Sequence, residues 1–171
     1  MAIMETSPPN LAPRSVSESR SEMTQIVLPN DTNPLRVLLG GRLMHWIDLA
    51  GALAAHRHSR AYVVTASVDH LDFFVSCRVG DVVVLRSQVN RAFTTSMEIG
   101  VKVFVESYIE QKIKHVRTAY LTFVAVDGDS HRLRVPPLIP ETDEDKRRFE
   151  DAMRRRTLRD AERARQKLAK A

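Results

Sequence analysis

The chain has 171 residues, 43% hydrophobic and 27% charged, with a formal net charge of +5. That suits one globular domain with a real core plus tails. A single cysteine, Cys77, excludes an internal disulfide framework and points to a reducing compartment, and no apolar run approaches the ~20 residues needed to span a bilayer.

The charge is unevenly placed. Residues 152–171 carry eight Lys or Arg against two acids, which leaves the rest of the chain close to neutral. A basic terminal segment favours an anionic partner: a nucleotide phosphate, nucleic acid or a membrane surface. The N-terminus has no apolar signal core, and Glu5, Glu18 and Glu22 argue against a transit peptide, so a cytoplasmic location is expected.

Residues 1–21 hold five Ser and three Pro without apolar periodicity and are expected to be a disordered tail. Met23 to Leu28 reads as a short strand, with loop chemistry in Pro29-Asn30-Asp31-Thr32-Asn33-Pro34 after it. A helix is expected over roughly Gly41 to His56. Between Leu43 and Ala55 only His45 and Asp48 are polar, so this helix reads as buried on nearly all sides. A lone carboxylate there is costly unless something pairs with it or uses it. Upstream, Gly40-Gly41 marks a helix start that offers free backbone N–H groups. On the residues alone, Asp48 is as readily a satisfied core acid as a reacting group.

Strand-like runs follow: Tyr62 to Asp69, Val82 to Val89 after the Gly80-Asp81 turn, Ile99 to Val105 with a period of two, and Val116 to Val126 closed by Asp127-Gly128-Asp129. One helix and then consecutive strands without helical crossovers predict an α+β fold, an antiparallel sheet packed on that helix. Val135 to Pro140 is held extended by its prolines. Thr142 reads as an N-cap with Asp143, Glu144 and Asp145 in the first turn. Phe149, Met153 and Leu158 give this last helix a weak apolar stripe, and Arg163 to Ala171 is expected to fray. The division is a tail (1–21), a core domain (22–140), and a basic helix with its tail (141–171).

His45, His56 and His58 have no Cys or acidic partner at ligand spacing, so no metal site is expected. His56 and His58 fall near a helix C-terminus, where positive charge is favoured. Cys77 has no nucleophile signature around it and reads as structural. Ser67 and Asp69 share a strand face and are weak candidates for lining a channel.

Several blocks together resemble the hotdog-fold acyl-CoA thioesterases of the brain acyl-CoA hydrolase type. They are Asn33-Pro34-Leu35-Arg36-Val37-Leu38-Leu39-Gly40-Gly41-Arg42-Leu43-Met44-His45-Trp46-Ile47-Asp48, Val63 to Asp69, Thr95-Ser96-Met97-Glu98, Thr118 to Asp127, Pro140-Glu141-Thr142 and Arg154-Arg155-Arg156. The blocks keep family order over roughly residues 24–159. The resemblance implies a long helix wrapped by a curved antiparallel sheet, a homodimer with a continuous sheet, and assembly into a trimer of dimers. It implies hydrolysis of a fatty acyl-CoA to free acid and CoA, with no metal or organic cofactor.

By the same resemblance Asp48 is the catalytic acid and Asn33 its partner from the opposite subunit. Gly41 is the expected N–H donor to an oxyanion at the helix end, where a missing side chain allows close approach. Gly41 and Asp48 lie seven residues apart, on nearly one helix face. Asp48 is either a general base on water or a nucleophile that forms a mixed anhydride. Gly40, Arg91, Thr95, Ser96, Arg154, Arg155 and Arg156 are candidate CoA contacts, the arginines for its phosphates. Many relatives carry glycine in the loop where this chain has Arg36. Two rival readings remain. One is a hotdog module that binds acyl-CoA without turnover, as a sensor or scaffold. The other is nucleic-acid binding, disfavoured because aromatics are 6% of the chain and the last twenty residues hold none to stack bases.

Overall fold

A computed structural model describes residues 11–69 and 77–169. Its centre is a five-stranded antiparallel sheet. The strands are β2 (Ser21–Ile26), β3 (Tyr62–Val68), β4 (Val82–Ala92), β5 (Ser96–Ser107) and β6 (Lys112–Val126). Their order is β2-β4-β5-β6-β3, which leaves β2 and β3 as the two edges. Two short strands, β1 (Arg14–Ser15) and β7 (Leu138–Ile139), pair in parallel beside it.

Alternation builds two different sheet faces. Met97, Ile99, Val101, Val103 and Val105 of β5 point inward with Ala119, Leu121, Phe123 and Ala125 of β6. Against them lies α2 (Gly40–Ser59), which presents Leu43, Trp46, Ile47, Ala50, Ala54 and Ala55. Each fully buried aliphatic side chain there is worth about 1.5–3 kcal/mol. Gly51 sets how close the helix comes, because a Cβ at that position would stand 2.9 Å from the Phe123 ring. The fold is therefore the expected α+β hotdog, a long helix held in a curled antiparallel sheet.

The helix is not buried on nearly all sides as its composition suggests. Leu49 and Leu53 are 43% and 44% exposed, and Asp48 is only half-buried. Thirteen nearly apolar residues mark a core helix, but they do not say which face a single chain leaves uncovered.

The opposite sheet face carries polar groups and is crossed by α3 (Asp143–Leu168). Thr142 caps this helix as expected, its Oγ1 accepting from the Asp145 N–H at 3.1 Å. Ion pairs dock it. Arg155 reaches the fully buried Glu98 at 2.6 Å, and Arg159 bridges Glu98 at 3.0 Å and Asp69 at 2.7 Å. Arg155 also stacks on Tyr120, 3.7 Å from its centroid. The helix runs on to Leu168, and its residues from Asp160 onward are exposed, in keeping with an end that has little to bury.

The N-terminal segment also departs from expectation. After β1, residues Val16–Ser19 form a short helix, α1. Val16 and Ser19 are both buried, and Ser19 Oγ accepts from the Val89 N–H at 3.0 Å. One Val and one Ser used as anchors leave no periodicity for a sequence reading to detect. Residues 1–10 of that expected tail lie outside the described residues.

Candidate active site

The loop before α2 is held by its own side chains. Asp31 accepts from the Leu28 N–H at 3.0 Å and pairs with Arg42 at 2.9 Å, which ties the loop to the first turn of the helix. Asn33 Oδ1 accepts from the N–H groups of Leu35 at 3.0 Å and Val37 at 3.2 Å, an Asx-turn. These two donors fix the orientation of the amide. The NH2 end of Asn33 has no acceptor among the described residues and is the end available to a ligand. Arg36 closes the turn at φ 58°, in the left-handed region where L side chains are strained by about 1–2 kcal/mol.

Helix α2 begins with Leu39 as N-cap, which offers no side-chain acceptor, and with no acid in the first turn. The N–H groups of Gly40 and Gly41 have no acceptor among the described residues, since the loop-to-helix bonds start at Arg42. A Cβ at Gly41 would meet nothing within 4 Å. No packing contact therefore demands glycine at 41. The open space and the two free donors suit an anionic oxygen at the positive end of the helix.

Asp48 lies two turns further along. Thr65 Oγ1, from β3, donates to its Oδ1 at 2.6 Å, and Oδ2 has no partner among the described residues. Sequence reasoning missed Thr65, although its place beside Ala66 and Ser67 in a resembling block was the available signal. Asp48 and Gly41 share a helix face but cannot share a reaction centre within one chain. Seven residues separate them by about 10 Å along the axis, whereas reacting atoms must meet at about 3–3.5 Å. Within one chain, a carbonyl held at Gly41 is out of reach of Asp48.

The candidate CoA residues divide. Thr95, Ser96 and Arg156 line one cavity of about 250 Å³ together with Arg132, Arg159 and Arg163. Three of those arginines, at 156, 159 and 163, repeat three and four residues apart on one face of α3. Arg154, Arg155 and Arg156 therefore do not act as a trio. Arg154 is an exposed partner of Asp151, Arg155 is committed to Glu98, and only Arg156 faces the cavity, stacked 4.0 Å from the Phe93 centroid. Arg91 is also used internally. It donates to the Phe149 carbonyl at 3.0 Å and lies 3.9 Å from the centroid of that ring.

Asp69 is tied to Arg159, and burial raises its carboxyl above the usual range against the opposing pull of that guanidinium. His58 is fully buried, with Nε2 2.9 Å from the Pro136 carbonyl and Nδ1 unpaired. Burial lowers its pKa, so it is neutral and is not the helix-end cation its position suggested. Cys77 is buried and its thiol is pushed up to about 11, as a structural cysteine should be. Among the described residues, no group of three or more His, Cys, Asp or Glu is arranged to hold a metal ion, and no helix is long and apolar enough to cross a membrane.

Residues 35–111 match the family model of the thioesterase superfamily. An uncharacterized acyl-CoA thioester hydrolase of Bacillus subtilis is 40% identical over 132 residues, 77% of each chain. This chain belongs to the hotdog-fold acyl-CoA thioesterases of the brain acyl-CoA hydrolase type. Membership makes it a thioester hydrolase acting on acyl-CoA. The human cytosolic acyl coenzyme A thioester hydrolase is 33% identical over 83% of this chain, which spans only 38% of that longer protein.

Among solved structures, the acyl-CoA hydrolase of Staphylococcus aureus in complex with butyryl coenzyme A superposes with a TM-score of 0.83. It is 36% identical, and the match covers 91% of this chain and 95% of that one. Alanine variants of an asparagine, an aspartate and a threonine of that enzyme have also been solved. A hexameric acyl-CoA thioesterase matches with a TM-score of 0.85 and 37% identity, over 90% of this chain and 98% of that one.

Proposed function

We propose that the protein hydrolyses fatty acyl-CoA at a site shared by two subunits, with Asp48 from one and Asn33 and Gly41 from the other. The Asp48–Thr65 hydrogen bond carries this reading. It holds one carboxylate oxygen of a half-buried acid and leaves the other without a partner among the described residues. The asparagine, aspartate and threonine changed in the Staphylococcus enzyme stand in the same order and at the same separations as Asn33, Asp48 and Thr65.

In this mechanism the Gly41 N–H and the helix dipole stabilise the negative charge that builds on the thioester oxygen. The Asn33 amide, whose oxygen its own turn occupies, donates its N–H to the water or the carbonyl. Asp48 Oδ2 takes a proton from water as general base, or attacks the carbonyl to give a mixed anhydride that water then opens. Either route releases CoA as the thiol and calls on no metal or organic cofactor. The cavity of Thr95, Ser96 and Arg156 receives the coenzyme's phosphates.

Pairing through β3 supports the shared site. This edge strand leaves Tyr62, Val64 and Val68 exposed at 61%, 48% and 38%, and α2, packed against the sheet, leaves Leu49 and Leu53 uncovered. A second copy laid along that edge would continue the sheet and bring a partner to Asp48. The hexameric relative supports three such pairs, and the cytosolic human relative supports a cytoplasmic location.

The deciding assay measures thiol release from acyl-CoA of increasing chain length, for the wild type and for Asp48→Asn. The variant should keep its circular dichroism and its oligomeric mass while losing at least a hundredfold in kcat. Unchanged turnover in a folded Asp48→Asn protein would sink the site.

A further inference from the structure

A second basic cavity lies away from both Asp48 and the Arg156 pocket, and the proposed mechanism makes no use of it. It occupies about 430 Å³ on the outer sheet face beneath the first half of α3. Its floor is one cross-strand row. Glu22 of β2 stands opposite Arg86 of β4, and Arg86 stands opposite Lys102 of β5. Like charges directly opposed across a sheet are unfavourable. Arg148 of α3 and Arg20, at the end of α1, bring two more cations to the same walls.

The protein's own acids only partly answer this charge. Arg86 Nε meets Glu22 at 2.7 Å, and Arg20 meets Asp145 at 3.3 Å. Glu144 accepts from Arg148 and Arg147, both at 2.9 Å, which leaves Lys102 at 3.9 Å from it. Lys102 Nζ and the terminal nitrogens of Arg86 and Arg148 are given no acceptor within hydrogen-bonding distance among the described residues. Burial and the neighbouring Arg148 lower the pKa of Lys102, the mark of a cation crowded by cations.

We propose that this cavity binds a diphosphate-bearing anion, held by Lys102, Arg86 and Arg148. Two linked phosphates offer several strong acceptors at a spacing that can bridge the sheet row to α3. Guanidinium and ammonium groups are the donors suited to them. The same chemistry is found in a free phosphate ester and in the diphosphate of a coenzyme, so the source is a matter for competition.

The probe is inorganic pyrophosphate, followed by calorimetry and thermal unfolding, with potassium chloride as the control at matched ionic strength. Wild type should bind saturably and gain in melting temperature beyond the chloride control. Lys102→Gln and Arg148→Gln should each weaken binding at least tenfold while leaving thioester hydrolysis unchanged. Glu22→Gln, which removes the one acid lining the cavity, should tighten it. Asp48→Asn should bind pyrophosphate as wild type does, and Arg156→Gln should keep the share of binding that Lys102→Gln and Arg148→Gln remove, which separates this site from the catalytic one whatever becomes of that reading. Displacement by CoA would assign the source to the coenzyme, and resistance to CoA would assign it to a free phosphate ester; both keep the site. Binding no greater than the chloride control, or equal binding by Lys102→Gln and Arg148→Gln, overturns it.

Discussion

Thr65 Oγ1 donates to Asp48 Oδ1 at 2.6 Å, joining the edge strand of the sheet to the outer side of the central helix. The bond holds the carboxylate by one oxygen and leaves the other without a partner among the described residues. A hydrogen bond to a charged group is worth about 1.5–3 kcal/mol. Thr65→Val should therefore lower kcat by roughly 10- to 100-fold with little change in KM, and Thr65→Ser should restore most of it. Steady-state thiol-release kinetics decide this, and a change confined to KM would place Thr65 in binding instead.

The separation of Gly41 from Asp48 along one helix makes a sharper prediction. Asp48→Ala and Asn33→Ala should each be inactive alone. Mixed, refolded and allowed to pair at random, they should recover roughly a quarter of wild-type activity, because half the pairs hold one intact site of two. No recovery in a mixture shown by mass measurement to contain mixed pairs would mean that each chain works alone.

Arg36 closes the Asn33 turn with a left-handed φ of 58°. Arg36→Gly should remove that strain and raise unfolding stability by about 1 kcal/mol, read as a higher denaturant midpoint at unchanged slope. A lower midpoint would show that the side chain contributes more than its backbone costs.

His58 gives the protein an acid-sensitive step. Its folded pKa lies below the unfolded value, so the unfolded chain binds the extra proton and stability rises with pH. The neutral imidazole carries no penalty above an unfolded pKa of about 6.5. As pH falls below that value, stability is lost until the folded pKa is reached. Melting temperatures of wild type between pH 8 and pH 5 should fall more steeply than those of His58→Gln. Parallel curves would move the acid sensitivity elsewhere.

What the sequence disclosed and what it hid divide on physical lines. The alternation of Ile99, Val101, Val103 and Val105 and the cap at Thr142 are local signals, and both elements form where they indicate. Asp48 stood out because a charge in an apolar run needs a reason. Its exposure was hidden, because composition does not say which helix face the rest of the chain leaves uncovered. Thr65, Arg91 and Arg155 were misjudged or missed for one shared reason. Their roles are tertiary: a hydroxyl meeting a helix 17 residues away, a guanidinium on the Phe149 carbonyl, another on a buried glutamate. The long docked run of α3 was hidden likewise, since its partners Glu98 and Asp69 sit on distant strands.

The missing methyl at Gly51 bears on Asp48 from inside the core. An added Cβ would stand 2.9 Å from Phe123, and relief to an ordinary contact of 3.4 Å lifts the helix by about half an ångström. That lift, carried one turn back to Asp48, would stretch a 2.6 Å bond past the ~3.0 Å limit of a good hydroxyl hydrogen bond. The depth at which the helix is seated is thus a tuning screw for the carboxylate, and the size of one buried residue sets the length of the bond between Asp48 and Thr65.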